Sequence, residues 1–328
     1  MTTRAADSAR ASLPGPAAST RPAIPEGTDA ALASRASGTS LSATITRYYS
    51  LTKPGVLYGN ALTAAAGFLL ASRGTFDIGL FLALFIGTTL VIASACVLNN
   101  VLDRDIDTVM ERTRNRATVT GRIAARNAVI FSIMLGIVGM GILVAWTNWL
   151  VVGVGLGGFL VYVVLYGMLS KRMSIHGTLV GSVSGAAPIL AGYVAVTGAV
   201  DVGAVLVFLA VFLWQMPEFY SIAIYRRDEY ARAGIPVISV VRGVTNTTIQ
   251  IFVYTVAFVI VTLLLPAFGY VGIVYAVVMG SLGVWWIVLG LTGLGNADAV
   301  GWSRKMFRFS LVMILALCLM LAVGPILP

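Results

Sequence analysis

The strongest constraint on this chain is a succession of apolar stretches, each about 20 residues long, that begins near residue 55 and runs almost to residue 328. Inside a bilayer no water satisfies backbone N–H and C=O groups. A stretch of that length therefore spans as a helix, which bonds its own backbone. The pattern predicts spans near 55–73, 77–99, 126–146, 148–169, 178–197, 203–224, 246–266, 270–293 and 304–326. Composition agrees: the chain is 58% hydrophobic and 11% charged, with mean hydropathy +0.92, more apolar than any soluble domain needs. The expected fold is all-α, a polytopic membrane protein of about nine transmembrane helices.

Residues 1–42 are rich in Ala, Ser, Thr, Pro and Arg and hold no apolar run. They are read as a disordered tail before a transmembrane domain of residues 43–328. Nothing in the tail resembles the apolar core of a secretory signal, and its weak amphipathicity makes a transit peptide the minor reading. Both cysteines, Cys96 and Cys318, sit inside apolar runs, which argues against a disulfide framework or a cysteine metal site. His176 is the single histidine, which excludes histidine-rich metal sites; alone in a short loop, it reads as solvated or structural.

The net charge of +9 is distributed by side. The connections 147–149, 197–201 and 266–270 are short and nearly uncharged. Those on the other side carry Arg104 to Arg126, Lys171–Arg172, Arg226 to Arg242 and Arg304–Lys305. From Arg47 onward only Arg73 falls on the uncharged side. The asymmetry points to anionic lipid headgroups and topology rather than to nucleic acid, and it places the basic loops and the N-terminus in the cytoplasm. Within the spans, Gly136 with Gly139, the run Gly153 to Gly158, and Gly181 with Gly185 suit close helix packing. Trp146, Trp149, Tyr270 and Trp302 fall near span ends and read as interfacial anchors.

Chemistry concentrates in one stretch, NNVLDRDIDTVMERTRNR, residues 99–116. It holds Asp103, Asp105, Asp107 and Glu111 among Arg104, Arg112, Arg114 and Arg116, directly after an apolar span. Charge at that position is costly unless solvated, paired or metal-bound. If the preceding helix continues, Asn99, Asp103 and Asp107 lie one turn apart on one face, about 6 Å per step. Two carboxylates and an amide oxygen suit Mg²⁺, a hard cation that bridges to phosphate oxygens. Asp105 points to the opposite side and is expected to pair with a neighbouring arginine. The bland alternative is a solvated loop of mixed charge. A second patch, YSIAIYRRDEYARAGIP at 220–236, sets Asp228 and Glu229 among Arg226, Arg227 and Arg232. Together the patches could hold one polyanion, acids through metal and arginines directly. Lys53 stands at the mouth of the first span, placed either as an anchor or to reach an anion. Glu218, after Pro217, is the exceptional acid within a span; it either snorkels to water or lines a cavity.

At these motifs the chain resembles the intramembrane prenyltransferases of the UbiA superfamily. Within them it looks most like the branch that farnesylates haem B. The resemblance rests on LTKPGVLYGN (51–60), NNVLDRDIDTVMERTRNR (99–116), KRMSIHGTLVGSVSGAAPILAGYVAVTG (171–198), WQMPEFYSIAIYRRDEYARAGIPVISVVRG (214–243) and SRKMFRFS (303–310), and so covers nearly everything after the tail. The superfamily pattern N-x-x-x-D-x-x-x-D falls on Asn99, Asp103 and Asp107. The chain departs from the branch in having Glu218 where a His is usual. It also lacks the prolines of RTxxRPLPxG, has Ile235–Pro236–Val237–Ile238–Ser239 for IPMLP, and offers only the adjacent Asp228–Glu229 for the second D-x-x-x-D motif.

The resemblance implies a UbiA-type bundle in a bacterial inner membrane, with its active-site loops cytoplasmic. Asn99, Asp103 and Asp107, with Asp228 or Glu229, would hold Mg²⁺ on farnesyl diphosphate. Lys53, Arg112, Arg116, Lys171 and Arg226 would neutralise the leaving diphosphate. Haem B would be the acceptor beside Glu218, and haem O the product, passed to a downstream haem A synthase. The rival readings are the same fold acting on an aromatic quinone precursor, a transporter, and an inactive assembly scaffold.

Overall fold

A computed structural model describes residues 41–328. The chain divides into two units, 1–44 and 45–328, and the expectation of a disordered tail falls almost wholly outside the described residues. Residues 41 and 42, taken as the end of that tail, instead open a helix, α1 (Leu41–Leu51).

Among the described residues nine helices are long and apolar enough to cross a membrane. They are α2 (Pro54–Ser72), α3 (Ile78–Leu102), α5 (Ala125–Trp146), α6 (Trp149–Met173), α7 (Gly177–Thr197), α8 (Val202–Tyr225), α11 (Gly243–Ala267), α12 (Ile273–Leu291) and α13, which begins at Ala299 and ends in a 3₁₀ turn at Ile326. Three short helices, α4 (Arg104–Val109), α9 (Arg227–Arg232) and α10 (Ile238–Val241), lie in the basic loops. The spans match the expected order. The clearest difference is the last, which starts at Ala299, so Arg304 and Lys305 lie inside its first turns rather than before it.

Side-chain caps start several spans. Asp77 accepts from Leu80 N at 3.0 Å, Asn148 from Val151 N at 3.1 Å, and Asp201 from Ala204 N at 2.9 Å. All three stand on the sparsely charged side. Their acceptor atoms satisfy helix N-termini there without adding positive charge. On the opposite side the chain breaks into the polar loops that carry the chemistry.

Packing pairs α3 with α5, α2 with α7, and α8 with α11 and α13. The α2–α7 seam depends on glycine. A Cβ on Gly67 would strike the Ile189 carbonyl, and one on Gly192 the Ala64 carbonyl, so the backbones touch where side chains would part them. Gly139 lies against Leu90 and Gly87 of α3, as expected of a packing glycine. Gly153 and Gly157 face open space, so the glycine run of α6 is only partly a packing seam. Trp146 and Trp149 are exposed at their span ends, as interfacial anchors should be. Trp302 is not an anchor: it is buried, donates from Nε1 to Leu289 O at 2.9 Å, and fills the space beside Gly293. Tyr270 is half-buried, its hydroxyl accepting from Gly203 N at 2.9 Å, so it too serves packing.

Gly192→Ala therefore overpacks the seam and should lower apparent stability by about 1–3 kcal/mol. Gly59→Ala, with nothing within 4 Å of its Cβ, should not. Thermal unfolding in detergent compares the two.

Candidate active site

The apolar end of α3 runs into the charged stretch almost without interruption. α3 closes at Leu102, and Asp103, with φ −90° and ψ 6°, links it to α4. Asp103 N still donates to Asn99 O at 2.9 Å and Asp107 N to Asp103 O at 2.8 Å. The one-turn spacing of Asn99, Asp103 and Asp107 thus survives the kink. All three are buried, at 2%, 1% and 3% exposure, so the solvated-loop reading fails.

Buried charge needs partners, and each of these groups has a cation. Lys53 Nζ donates to Asn99 Oδ1 at 2.5 Å, Lys171 Nζ to Asp103 Oδ2 at 2.5 Å, and Arg116 Nη1 to Asp107 Oδ2 at 2.5 Å. In the second patch Arg226 Nη1 donates to Glu229 Oε2 at 2.9 Å. Four of the expected oxygen ligands are therefore each paired with one of the expected diphosphate-binding cations; Asp228 and Arg112 stand outside this set. Asp105 is exposed and pairs with Arg172, through contacts of 2.6 and 2.8 Å. That guanidinium holds the Asp105 carboxyl down at about 2.

Local structure aims each cation. Lys53 adopts the left-handed conformation, φ 55° and ψ 69°, immediately before Pro54. A non-glycine residue held there stores strain, which is common where a side chain has a task. Asn100 pins this turn: its Nδ2 donates to Leu51 O at 2.7 Å. Burial pushes the Lys53 ammonium down to about 8; nearby Arg116 and Lys171 act in the same sense, and Cys96 and Asp103 oppose it.

Lys171 follows a π-helical segment of α6, Val161–Ser170, whose last bond joins Lys171 N to Tyr166 O. That wider turn stacks Tyr166 beneath Lys171, with the ammonium 5.9 Å from the ring centroid. Tyr162 lies one turn back, its ring 5.7 Å from that of Tyr166. Gly181 makes room, since a Cβ there would press on the Tyr166 ring at 3.1 Å. The reading of the sequence missed both tyrosines. The five-residue separation of Tyr166 from Lys171 hides their contact from any count based on α-helical periodicity.

An apolar cluster joins the two charged loops. Ile106 and Met110 from the α4 region pack with Ile235 after α9, and Tyr230 and Val237 cover them. Burial pushes the Tyr230 hydroxyl up; Tyr166 adds to this, while Arg112, Lys171 and Arg226 oppose it. The loop after α4 is held as well. Arg104 Nε donates to Thr118 O at 3.1 Å, and buried Thr113 and Thr118 face inward.

The remaining candidates are placed less tightly. Arg112 is exposed and makes no ion pair among the described residues. Asp228 is exposed, whereas Glu229 is buried, so of the adjacent pair Glu229 faces the interior. Glu218 is half-buried on α8, with no ion pair among the described residues. His176 is exposed.

Two carboxylate oxygens, Asp103 Oδ1 and Glu229 Oε1, are buried without a hydrogen-bond partner. Such oxygens suit a ligand that completes them, and an all-oxygen donor set suits a hard cation. Among the described residues no three of His, Cys, Asp and Glu already converge as a metal group; the acids face cations instead.

Breaking one buried pair should cost more than removing it whole. Lys171→Met strands Asp103 and should destabilise by about 3 kcal/mol. Adding Asp103→Asn to Lys171→Met should restore much of that loss, read by thermal unfolding in detergent.

Comparison with known proteins accords with this arrangement. A profile described as the UbiA prenyltransferase family matches residues 60–323. The protoheme IX farnesyltransferase of Photorhabdus laumondii is 45% identical over 87% of this chain and 97% of that protein. Protoheme IX farnesyltransferase 1 of Shewanella frigidimarina is also 45% identical, over 86% and 93%. Among solved structures, a study of digeranylgeranylglyceryl phosphate synthase gives a TM-score of 0.73 at 20% identity, covering 86% of this chain and 98% of that one. A UbiA homologue from Archaeoglobus fulgidus, bound to DMAPP and Mg²⁺, gives 0.64 at 15% identity, over 82% and 99%. Family profile, relatives and fold agree: this chain belongs to the UbiA prenyltransferase family.

Proposed function

We propose that this chain transfers the farnesyl group of farnesyl diphosphate to a vinyl group of haem B, with addition of water, to give haem O. The observation that carries the reading is the one-to-one pairing of Asn99, Asp103, Asp107 and Glu229 with Lys53, Lys171, Arg116 and Arg226. Such a set suits a metal-bound diphosphate: the cations would hold phosphate oxygens, and the carboxylates would hold the metal. The 45% identity to protoheme IX farnesyltransferases supports haem B as the acceptor.

Asn99, Asp103, Asp107 and Glu229 would hold Mg²⁺. Bound there, the ion supplies positive charge to the diphosphate oxygens. Lys53, Lys171, Arg116 and Arg226, with Arg112 at the rim, stabilise the negative charge that builds on diphosphate as its bond to the farnesyl carbon breaks. The Tyr162 and Tyr166 rings offer π-faces to the allylic cation left behind. The terminal vinyl carbon of haem B attacks that cation and forms the new C–C bond. Positive charge then rests on the vinyl carbon next to the porphyrin, where water adds and loses a proton. The apolar helices exclude other water from the cation. The acceptor lies on the Glu218 side.

The basic loops support a cytoplasmic orientation for the N-terminus and the site, with the enzyme in a bacterial inner membrane. The product suits a downstream haem A synthase.

Purified protein in lipid, given haem B, farnesyl diphosphate and Mg²⁺, should yield a haem carrying the hydroxyethylfarnesyl mass. The product should vanish with EDTA and in Asp103→Asn. Diphosphate release with farnesyl delivered only to added aromatic acceptors would move the function to another acceptor class. Glu218→His should keep kcat within about threefold of wild type. Total loss in that variant would show that the carboxylate itself takes part.

A further inference from the structure

A second basic cleft, of 660 Å³, opens beside α9 on the same side of the membrane as the site, with which it shares Arg226 and Glu229. It lies where α8 ends and where α11 and α13 begin. Arg226, Arg227, Asp228, Glu229, Arg232 and Arg304 form its charged lining. Four guanidiniums there meet only two carboxylates, Asp228 and Glu229, and Glu229 is already engaged by Arg226. Arg227, Arg232 and Arg304 form no ion pair among the described residues.

The cleft also gathers its charge onto one ring. Arg226 lies 5.7 Å and Arg304 5.9 Å from the Tyr225 centroid, and Tyr225 meets Phe307 edge-on at 6.0 Å. Contact with the ring restrains both guanidiniums; Arg226 is engaged by Glu229, whereas Arg304 forms no ion pair among the described residues and keeps its N–H groups for an anion. Val244, Ala299 and Val300 complete the lining. These residues stand at the ends of membrane spans, so the basic floor continues into an apolar wall at the bilayer surface. α9 stands between the rest of this cleft and the loop after α3. Its Tyr230 packs on Ile106 and Met110, whereas Arg227 and Arg232 are exposed on the cleft side.

We propose that this cleft binds the phosphate head group of an anionic phospholipid, with its acyl chains lying along α11 and α13. Arginine forks match phosphate oxygens, and basic pockets between transmembrane helices on one leaflet select anionic lipids. A free phosphate would use the same guanidiniums but would gain nothing from the apolar wall.

The test is native mass spectrometry of the full chain released from nanodiscs of mixed phosphatidylglycerol and phosphatidylcholine. Wild type should retain one phosphatidylglycerol in preference to phosphatidylcholine. Arg232→Ala with Arg304→Ala should retain it about tenfold less or weaker still, while its thermal unfolding in phosphatidylcholine nanodiscs stays at the wild-type value. Equal retention of both lipids by wild type overturns the proposal without recourse to any variant. So does undiminished phosphatidylglycerol in the double variant. Loss of the lipid signal on adding millimolar inorganic phosphate would make the cleft a free-anion site and likewise overturn it.

Discussion

Buried carboxylates cannot stand alone at the edge of a bilayer, and the polar half of this molecule is arranged around that fact. Asp103 and Asp107 sit almost wholly out of solvent at the end of an apolar helix, each against a single cation. Their cations come from distant parts of the chain. Lys171 arrives at the end of α6, Arg116 from the loop after α4, and Lys53, on the neighbouring Asn99, from the turn before α2. One electrostatic requirement thereby fixes where four segments must meet. Pairs of this kind contribute little net stability, because desolvation offsets attraction. They do leave a site of matched acids and cations, whose charges, on the function proposed above, would exchange partners when a metal-bound diphosphate enters.

The second requirement is apolar. Ile106, Met110 and Ile235 form a small cluster away from the main core, and it brings the loop after α8 against the loop after α3. Without it the Arg226–Glu229 pair would have no fixed relation to Asp103. Glu229 is buried with one oxygen unpartnered, while its neighbour Asp228 is exposed, so the short α9 helix decides which acid faces inward. The same helix turns Glu229 and Tyr230 inward and leaves Arg227 and Arg232 exposed on the cleft side.

Much of the fold was legible in the sequence. Nine spans, their order and the sidedness of charge follow from apolar runs and from counting Lys and Arg, since the bilayer permits few other solutions. The Asn99, Asp103, Asp107 register was legible too, because helical spacing repeats locally. Other readings failed for reasons that are equally physical. Trp302 lies near a span end in sequence, but α13 begins earlier than the apolar run suggests and carries it into the core. Tyr162 and Tyr166 went unnoticed because a π-helical turn sets their relation to Lys171. Asp105 does pair with an arginine, but with Arg172, far along the chain, rather than with the neighbouring arginine that was expected.

The sequence by itself determined that the chain crosses a membrane as helices, where its charged loops lie, and which acids share a helical face. Each of these depends on residues within a few turns of one another or on simple transfer energies. The tertiary structure alone decided which cation meets which acid, that Glu229 rather than Asp228 turns inward, and that a second basic cleft forms where α8, α11 and α13 meet. Those outcomes depend on contacts between residues far apart in the chain. Packing sets such contacts through glycine seams, a strained turn at Lys53 and one small apolar cluster, and none of these leaves a periodic mark in the sequence.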